Sequence, residues 1–136
     1  VHVPGPVGRA STIKMIRSVL VKGIEALTAE CFSAATIAGV ADEVAASLDA
    51  SQTKDSWKDQ AAYNMERMTT HGIRRAAEMR EVAITLADLN IPGRMTAGTI
   101  AWQDQLGNLG LSLLDTEGLE PRLSAIHNAL DAQKSD

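Results

Sequence analysis

Aromatic side chains are scarce in this chain, with two Trp, one Tyr and one Phe among 136 residues. Any core must therefore be filled by aliphatic residues, and the abundance of alanine favours closely packed helices over a sheet. The single cysteine, Cys31, excludes an intramolecular disulfide and has no companions at metal-site spacing, which fits a reducing cytoplasm. No apolar run is long enough to cross a bilayer, and the first residues lack a signal-peptide pattern, so no membrane association is expected. There is no surplus of positive charge: 13 Lys and Arg stand against 17 Asp and Glu, a net of -4. That excludes the clustered basic face of a nucleic-acid protein. The three histidines have no carboxylate-rich surroundings, so no metal site is expected, and neither a G-x-S-x-G elbow nor a P-loop occurs.

The residues that are present form helical patterns. All four prolines, Pro4, Pro6, Pro92 and Pro121, fall at boundaries and leave the stretches between them free to coil. Residues 1–8 read as an extended linker stiffened by proline, and a chain opening at Val1 without methionine suggests a preceding segment. Ser11 is placed to cap a long helix whose apolar positions Ile13, Ile16, Leu20, Ile24, Leu27 and Cys31 recur at spacings of three and four, ending before Gly39. Gly23 inside it predicts close approach by another helix, and Cys31 is expected to be inert within the apolar stripe. A shorter helix is expected over Ala41 to Leu48, then a polar loop from Asp49 to Asp55. Ser56 caps a helix opening at Trp57, and Thr69 and Thr70 mark a point where the run can break or restart. Ile73 to Leu89 is helical until Asn90-Ile91-Pro92-Gly93 stops it. Thr96 is expected to cap a helix to about Leu114, and a last one runs from near Pro121 with Leu123, Ile126 and Leu130 on one stripe. Trp57 and Trp102 are expected as core or interface anchors, and Met65 and Met68 as core filling. The sum is an all-α domain of five or six helices with one long first helix.

Lys14 falls in the first turn of the helix that Ser11 would cap, where the macrodipole disfavours a cation by about 0.3 to 1 kcal/mol. Two readings follow. In one, the side chain snorkels to solvent at little cost. In the other, its proton is easier to release, which suits proton transfer, and the free amides around Ser11 and Thr12 offer a seat for a substrate carboxylate. Spacing alone favours the first.

The segment from Gly8 to Ser18 resembles the glycine-rich turn and first helix of the second domain in β-hydroxyacid dehydrogenases, the superfamily of 6-phosphogluconate and 3-hydroxyisobutyrate dehydrogenases. Their pattern is G-x-G-x-x-x-K-x-x-x-N. Gly8 stands six before Lys14, Ala10 takes the place of the second glycine, Met15 follows the lysine, and Ser18 replaces the asparagine. A second segment, His71 to Val82, resembles the later helix of that family, in which a lysine–aspartate pair faces the cofactor. Here Ala77-Glu78 stands at that place, and Arg74 or Arg75 is available to substitute for the lysine. On a helix, His71, Arg74, Arg75 and Glu78 share one face, and Met68, Ala76, Met79, Ala83 and Leu86 another. The first face reads equally as a solvated, salt-bridged surface. The whole string is similar to a less-studied, phosphogluconate-dehydrogenase-like branch.

The resemblance implies that residues 9–136 are the helical substrate and dimerisation domain of an NAD- or NADP-dependent oxidoreductase acting on a small hydroxy acid or related carbonyl compound. Lys14 would be its general acid and base, with Ala10, Ser11, Thr12 and Ser18 orienting the substrate. Arg74, Arg75 and Glu78 would face the cofactor. Most of the nucleotide would be held by a Rossmann domain preceding this chain, because no strand and G-x-G-x-x-G turn occur here. The expected partners are a second copy, that Rossmann domain and a small-molecule substrate. Two alternatives stand beside this reading. One is an imine reductase, although such enzymes usually carry aspartate or tyrosine in place of Lys14. The other is a helical dimerisation or ligand-binding module without catalysis.

Overall fold

In the computed structural model, the described residues are 5–134, so residues 1–4 of the expected linker, His2 included, lie outside them. Among the described residues there are five helices and no strand: α1 (Pro6–Ala38), α2 (Ala41–Ser51), α3 (Trp57–Asp88), α4 (Arg94–Gly107) and α5 (Leu119–Lys134). The expected all-α class and the long first helix are present.

Four boundaries differ from the sequence expectation. Helix α1 starts at Pro6, not at Ser11, and Gly5 precedes it without a side-chain cap. Proline lacks the N–H that a first helical position would leave unused, so it opens this helix where an extended linker was expected. Helix α2 runs on to Ser51, which shortens the following loop. Helix α3 is continuous for 32 residues, because the Thr69 hydroxyl donates back to the carbonyls of Met65 and Glu66 (3.0 and 3.1 Å) and never competes for the ladder. Helix α4 begins at Arg94 and ends at Gly107, so Thr96 is inside its first turn and Leu109 to Leu114 is not helical.

Other signals hold. Gly39 is left-handed (φ 76°), and the paired bonds Gly39 N–H to Thr36 and Val40 N–H to Ala35 close α1. Asn90 (φ 59°) closes α3 in the same way, with its own N–H on Ala87 and that of Ile91 on Leu86. Ser56 caps α3 by accepting from the Asp59 N–H at 3.1 Å.

The centre of the molecule is α3, against which α4 and α5 pack. A side-chain carbon at Gly72 of α3 would stand 2.8 Å from the Gly107 Cα and 2.2 Å from the Gln103 carbonyl oxygen of α4, so two glycines let these backbones meet. Gly23, expected to serve that purpose, meets nothing within 4 Å among the described residues. The core consists of Leu106, Leu113 and Ile126, with Met65, Met68, Leu109 and Leu130 against it. Ala76 and Leu86 are buried, as the expected inner face of α3 requires. Arg122 of α5 donates to the carbonyls of Thr116 and Ala62, both at 2.6 Å, tying α5 to α3. Cys31, Trp57 and Trp102 are exposed, contrary to expectation, because each lies outside the small α3–α4–α5 core.

Helix α1 is different in kind. It is about 50 Å long, and it packs on α2 and α4. Along it Ile13, Met15, Ile16, Val19, Leu20, Ile24 and Leu27 are all exposed, Val19 by 76%. The accessible surface of the chain is 9758 Å², against about 6,900 Å² for a compact chain of its mass.

Candidate functional site

The expected substrate residues all lie on α1. Lys14 is exposed and stands in the third turn, beyond the first turn within which the macrodipole acts. The electrostatic reason for placing a proton-transfer lysine there is therefore removed. The amides of Ser11 and Thr12 lie inside the helical ladder, which opens with Arg9 N–H on Gly5 at 2.9 Å, and so offer no carboxylate seat. Ala10, Lys14 and Ser18 do follow one another at intervals of four along one face, with Ser11 beside them. Thr12 and Ser18 turn their hydroxyls back onto the carbonyls of Gly8 and Lys14, both at 2.9 Å.

Where α1 meets α4, a residue that the sequence reading did not single out makes the junction. The Glu30 carboxylate accepts from the N–H of Met95 (2.9 Å), the N–H of Thr96 (2.8 Å) and the Thr96 hydroxyl (2.7 Å). It supplies from another helix the anionic cap that α4 lacks of its own. Burial raises its pKa, but these bonds outweigh burial and hold it below the ordinary glutamate value. Lys14 lies about 24 Å further along α1.

The second group of expected residues is on α3. Arg74 pairs with Glu78 at 3.0 Å on the exposed side. Arg75 is half-buried and has no ion pair or hydrogen bond among the described residues. His71 is half-buried too, and its pKa is lowered by that burial and by Arg67, Arg74 and Arg75, with Glu66 opposing. One turn earlier the buried Glu66 accepts from Arg67 Nε at 2.9 Å and Nη2 at 3.1 Å, and from the Thr70 hydroxyl. The hydrogen bond from Arg67 holds Glu66 below the usual carboxylate range against its burial, with Thr70 adding to it. Arg67 in turn lies 5.9 Å from the centre of the Tyr63 ring. Glu66 and Arg67 went unnoticed because they sit within a methionine-flanked stretch that reads as core filling. Their only sequence signal was a charged pair one turn before His71.

No hydrogen bond or ion pair among the described residues joins the α1 group to the α3 group. No group of three or more His, Cys, Asp and Glu suited to a metal occurs among the described residues. No described helix is long and apolar enough to cross a membrane.

A family profile described as "Domain of unknown function (DUF1932)" matches residues 35–106, from the end of α1 to the end of α4. The chain belongs to the DUF1932 family. The matched stretch holds Arg74, Arg75 and Glu78 and stops short of Lys14. No curated protein matches. Among solved structures, this DUF1932 chain is similar to a conserved hypothetical protein from Sinorhizobium meliloti 1021, at 32% identity and a TM-score of 0.48, over 90% of this chain and 42% of the other. It thus spans less than half the length of that relative.

Proposed function

We propose that this chain is the helical substrate and dimerisation domain of a nicotinamide-dependent oxidoreductase of the β-hydroxyacid dehydrogenase type, acting on a small hydroxy acid or related carbonyl compound. The observation that carries the reading is α1. Its first two-thirds bear every expected substrate residue and are apolar over more than one side. A helix with so wide an apolar face and only one polar strip, which holds Ser11, Lys14, Ser18 and Lys22, needs a covering surface. The chain exposes about 2,900 Å² more than a compact protein of its mass, an area typical of obligate interfaces. A second copy and a preceding Rossmann domain are the proposed cover. A surface laid against α1 would border the strip that holds Lys14, which is what a proton-transfer role for it requires. Ala10 and Ser18 share its face, while Ser11 and Thr12 would act through side chains only.

The nucleotide does not fit this chain alone, which has no strand and no dinucleotide turn among its described residues. The chain's own share would be Arg74, Arg75 and Glu78, at the edge of a site formed elsewhere. The intended setting is a reducing cytoplasm.

The test is Lys14→Ala in the full polypeptide. We expect turnover to fall at least about 100-fold, with nucleotide affinity unchanged. Unaltered turnover would instead favour the module without catalysis, which the exposed position of Lys14 equally suits.

A further inference from the structure

The end of α2, the loop after it and the first turns of α3 enclose a cleft of about 600 Å³, a size suited to a small molecule. Three of the four aromatic residues of the chain are exposed, and two of them, Trp57 at 66% and Tyr63 at 56%, line this one cleft. They stand six residues apart on α3, about 9 Å along its axis. At that spacing one headgroup can lie within about 6 Å of both rings, the range over which a cation is drawn to an aromatic face. Gln60 stands between them, and its amide donates to Asn64 at 2.9 Å and accepts from the Thr53 hydroxyl at 3.4 Å, which ties the loop to the helix. Arg67 lies 5.9 Å from the centre of the Tyr63 ring, but it does not line the cleft and is paired with Glu66.

The charges around the cleft favour one sign of ligand. Among the described residues no cation lines it, whereas the Asp55 carboxylate does, and Asp55 has no hydrogen bond or ion pair among them. The helix ends act in the same direction. Ser51 and Gln52, the last residue and the C-cap of α2, bring the negative end of that helix to the cleft, and α2 has no basic residue in its last turn to offset it. The positive end of α3 is offset twice, by the Ser56 side chain accepting from the Asp59 N–H at 3.1 Å and by the Asp59 carboxylate in the first turn. Of the lysines adjacent in the chain, Lys58 lies 4.0 Å from Glu120 of α5, and Lys54 does not line the cleft. Two open π faces and an unpartnered carboxylate, with no positive charge among them, attract an organic cation and repel a phosphate.

We propose that the cleft between Trp57 and Tyr63 binds a free small molecule bearing a quaternary ammonium group, with its methyl groups against the two rings and its charge facing Asp55. A primary ammonium suits the cleft less well. It is strongly hydrated and carries three donors, whereas the cleft offers one free carboxylate and two rings. The cleft holds none of the residues assigned above to substrate or cofactor, so this site and that reading can fail separately.

The test is isothermal titration of the full chain, at constant ionic strength, with choline and with its uncharged carbon isostere, in which a tert-butyl group replaces the trimethylammonium. Choline should bind at least about tenfold more tightly than the isostere. Asp55→Asn, which keeps the shape and removes the charge, should narrow that difference, and Trp57→Ala should weaken choline by about tenfold or more. Both positions are exposed, so helicity by circular dichroism should be unchanged in each variant. Trp102→Ala, which alters an exposed ring outside the cleft, should leave choline binding as it is. Equal affinity for choline and the isostere in the unaltered chain would overturn the proposal, as would the absence of saturable choline binding. Full choline affinity in a folded Trp57→Ala or Asp55→Asn chain would overturn it as well.

Discussion

Glu30 shows how much one carboxylate can hold. It is the point where α1 is fastened to the start of α4, through two backbone amides and a hydroxyl. Glu30→Gln keeps the shape but loses the charge and turns a donor toward other donors, so a loss of about 1 to 3 kcal/mol is expected in urea unfolding. Because its folded pKa lies below the ordinary value of 4.5, its stabilisation is fully present above that value and is lost as the pH falls through the lowered one. Unfolding midpoints of wild type and Glu30→Gln should therefore converge on acidification and separate toward neutrality. A gap of constant size would show that the charge is not what matters. The same scale explains why Lys14 was readable as a candidate and its environment was not. Its position relative to Gly8 and Ser18 is a matter of counting, whereas its distance from the helix start depended on whether Pro6 opened the helix or stood outside it.

Helices α3 and α4 meet through glycine, and the two glycines of interest respond in opposite ways. Gly72→Ala would drive a methyl group into the Gln103 carbonyl and the Gly107 backbone, neither of which is a flexible side-chain end. A loss of about 3 kcal/mol or more is expected, read as a fall in thermal midpoint. Gly23→Ala meets nothing among the described residues and should raise helix stability by up to about 1 kcal/mol. Should it instead weaken self-association, the glycine is where a second α1 comes close. Nothing in the sequence distinguished these glycines, since each stands mid-helix between a polar residue and an isoleucine, Lys22 and Ile24 or His71 and Ile73. What differs is the crossing of α3 and α4, and that is set by packing remote in the chain. The turn signals at Gly39 and Asn90 were legible because both act locally, through a left-handed residue that any helix end can use.

For the whole molecule, α1 makes the strongest demand. Its exposed aliphatic surface predicts a dimer or larger assembly in solution. Val19→Glu, at a position where this chain offers no cover, should leave helicity intact and shift the sedimentation coefficient to that of a monomer. A wild-type chain that sediments as a monomer at all concentrations would remove the basis for the proposed interface. The distribution of the expected site follows from the same geometry: among the described residues no hydrogen bond or ion pair joins α1 to α3 near Lys14 and Arg75, so a site that used both would require other surfaces.

Much of the fold was local information. The aliphatic composition, the spacing of apolar residues, the Ser56 cap, the Gly39 and Asn90 stops and the inner face of α3 depend on neighbours within a turn or two, and the residue order alone determined them. It determined the basic face of α3 in the same way, since His71, Arg74 and Arg75 share it on any helix. Tertiary structure decided the rest: that Glu30 caps α4, that Gly72 rather than Gly23 is the crossing point, that Cys31 and the tryptophans face outward, and that most of α1 has nothing among the described residues to lie against. These depend on which surfaces meet across long separations in the chain, and short-range patterns carry no information about distance in space.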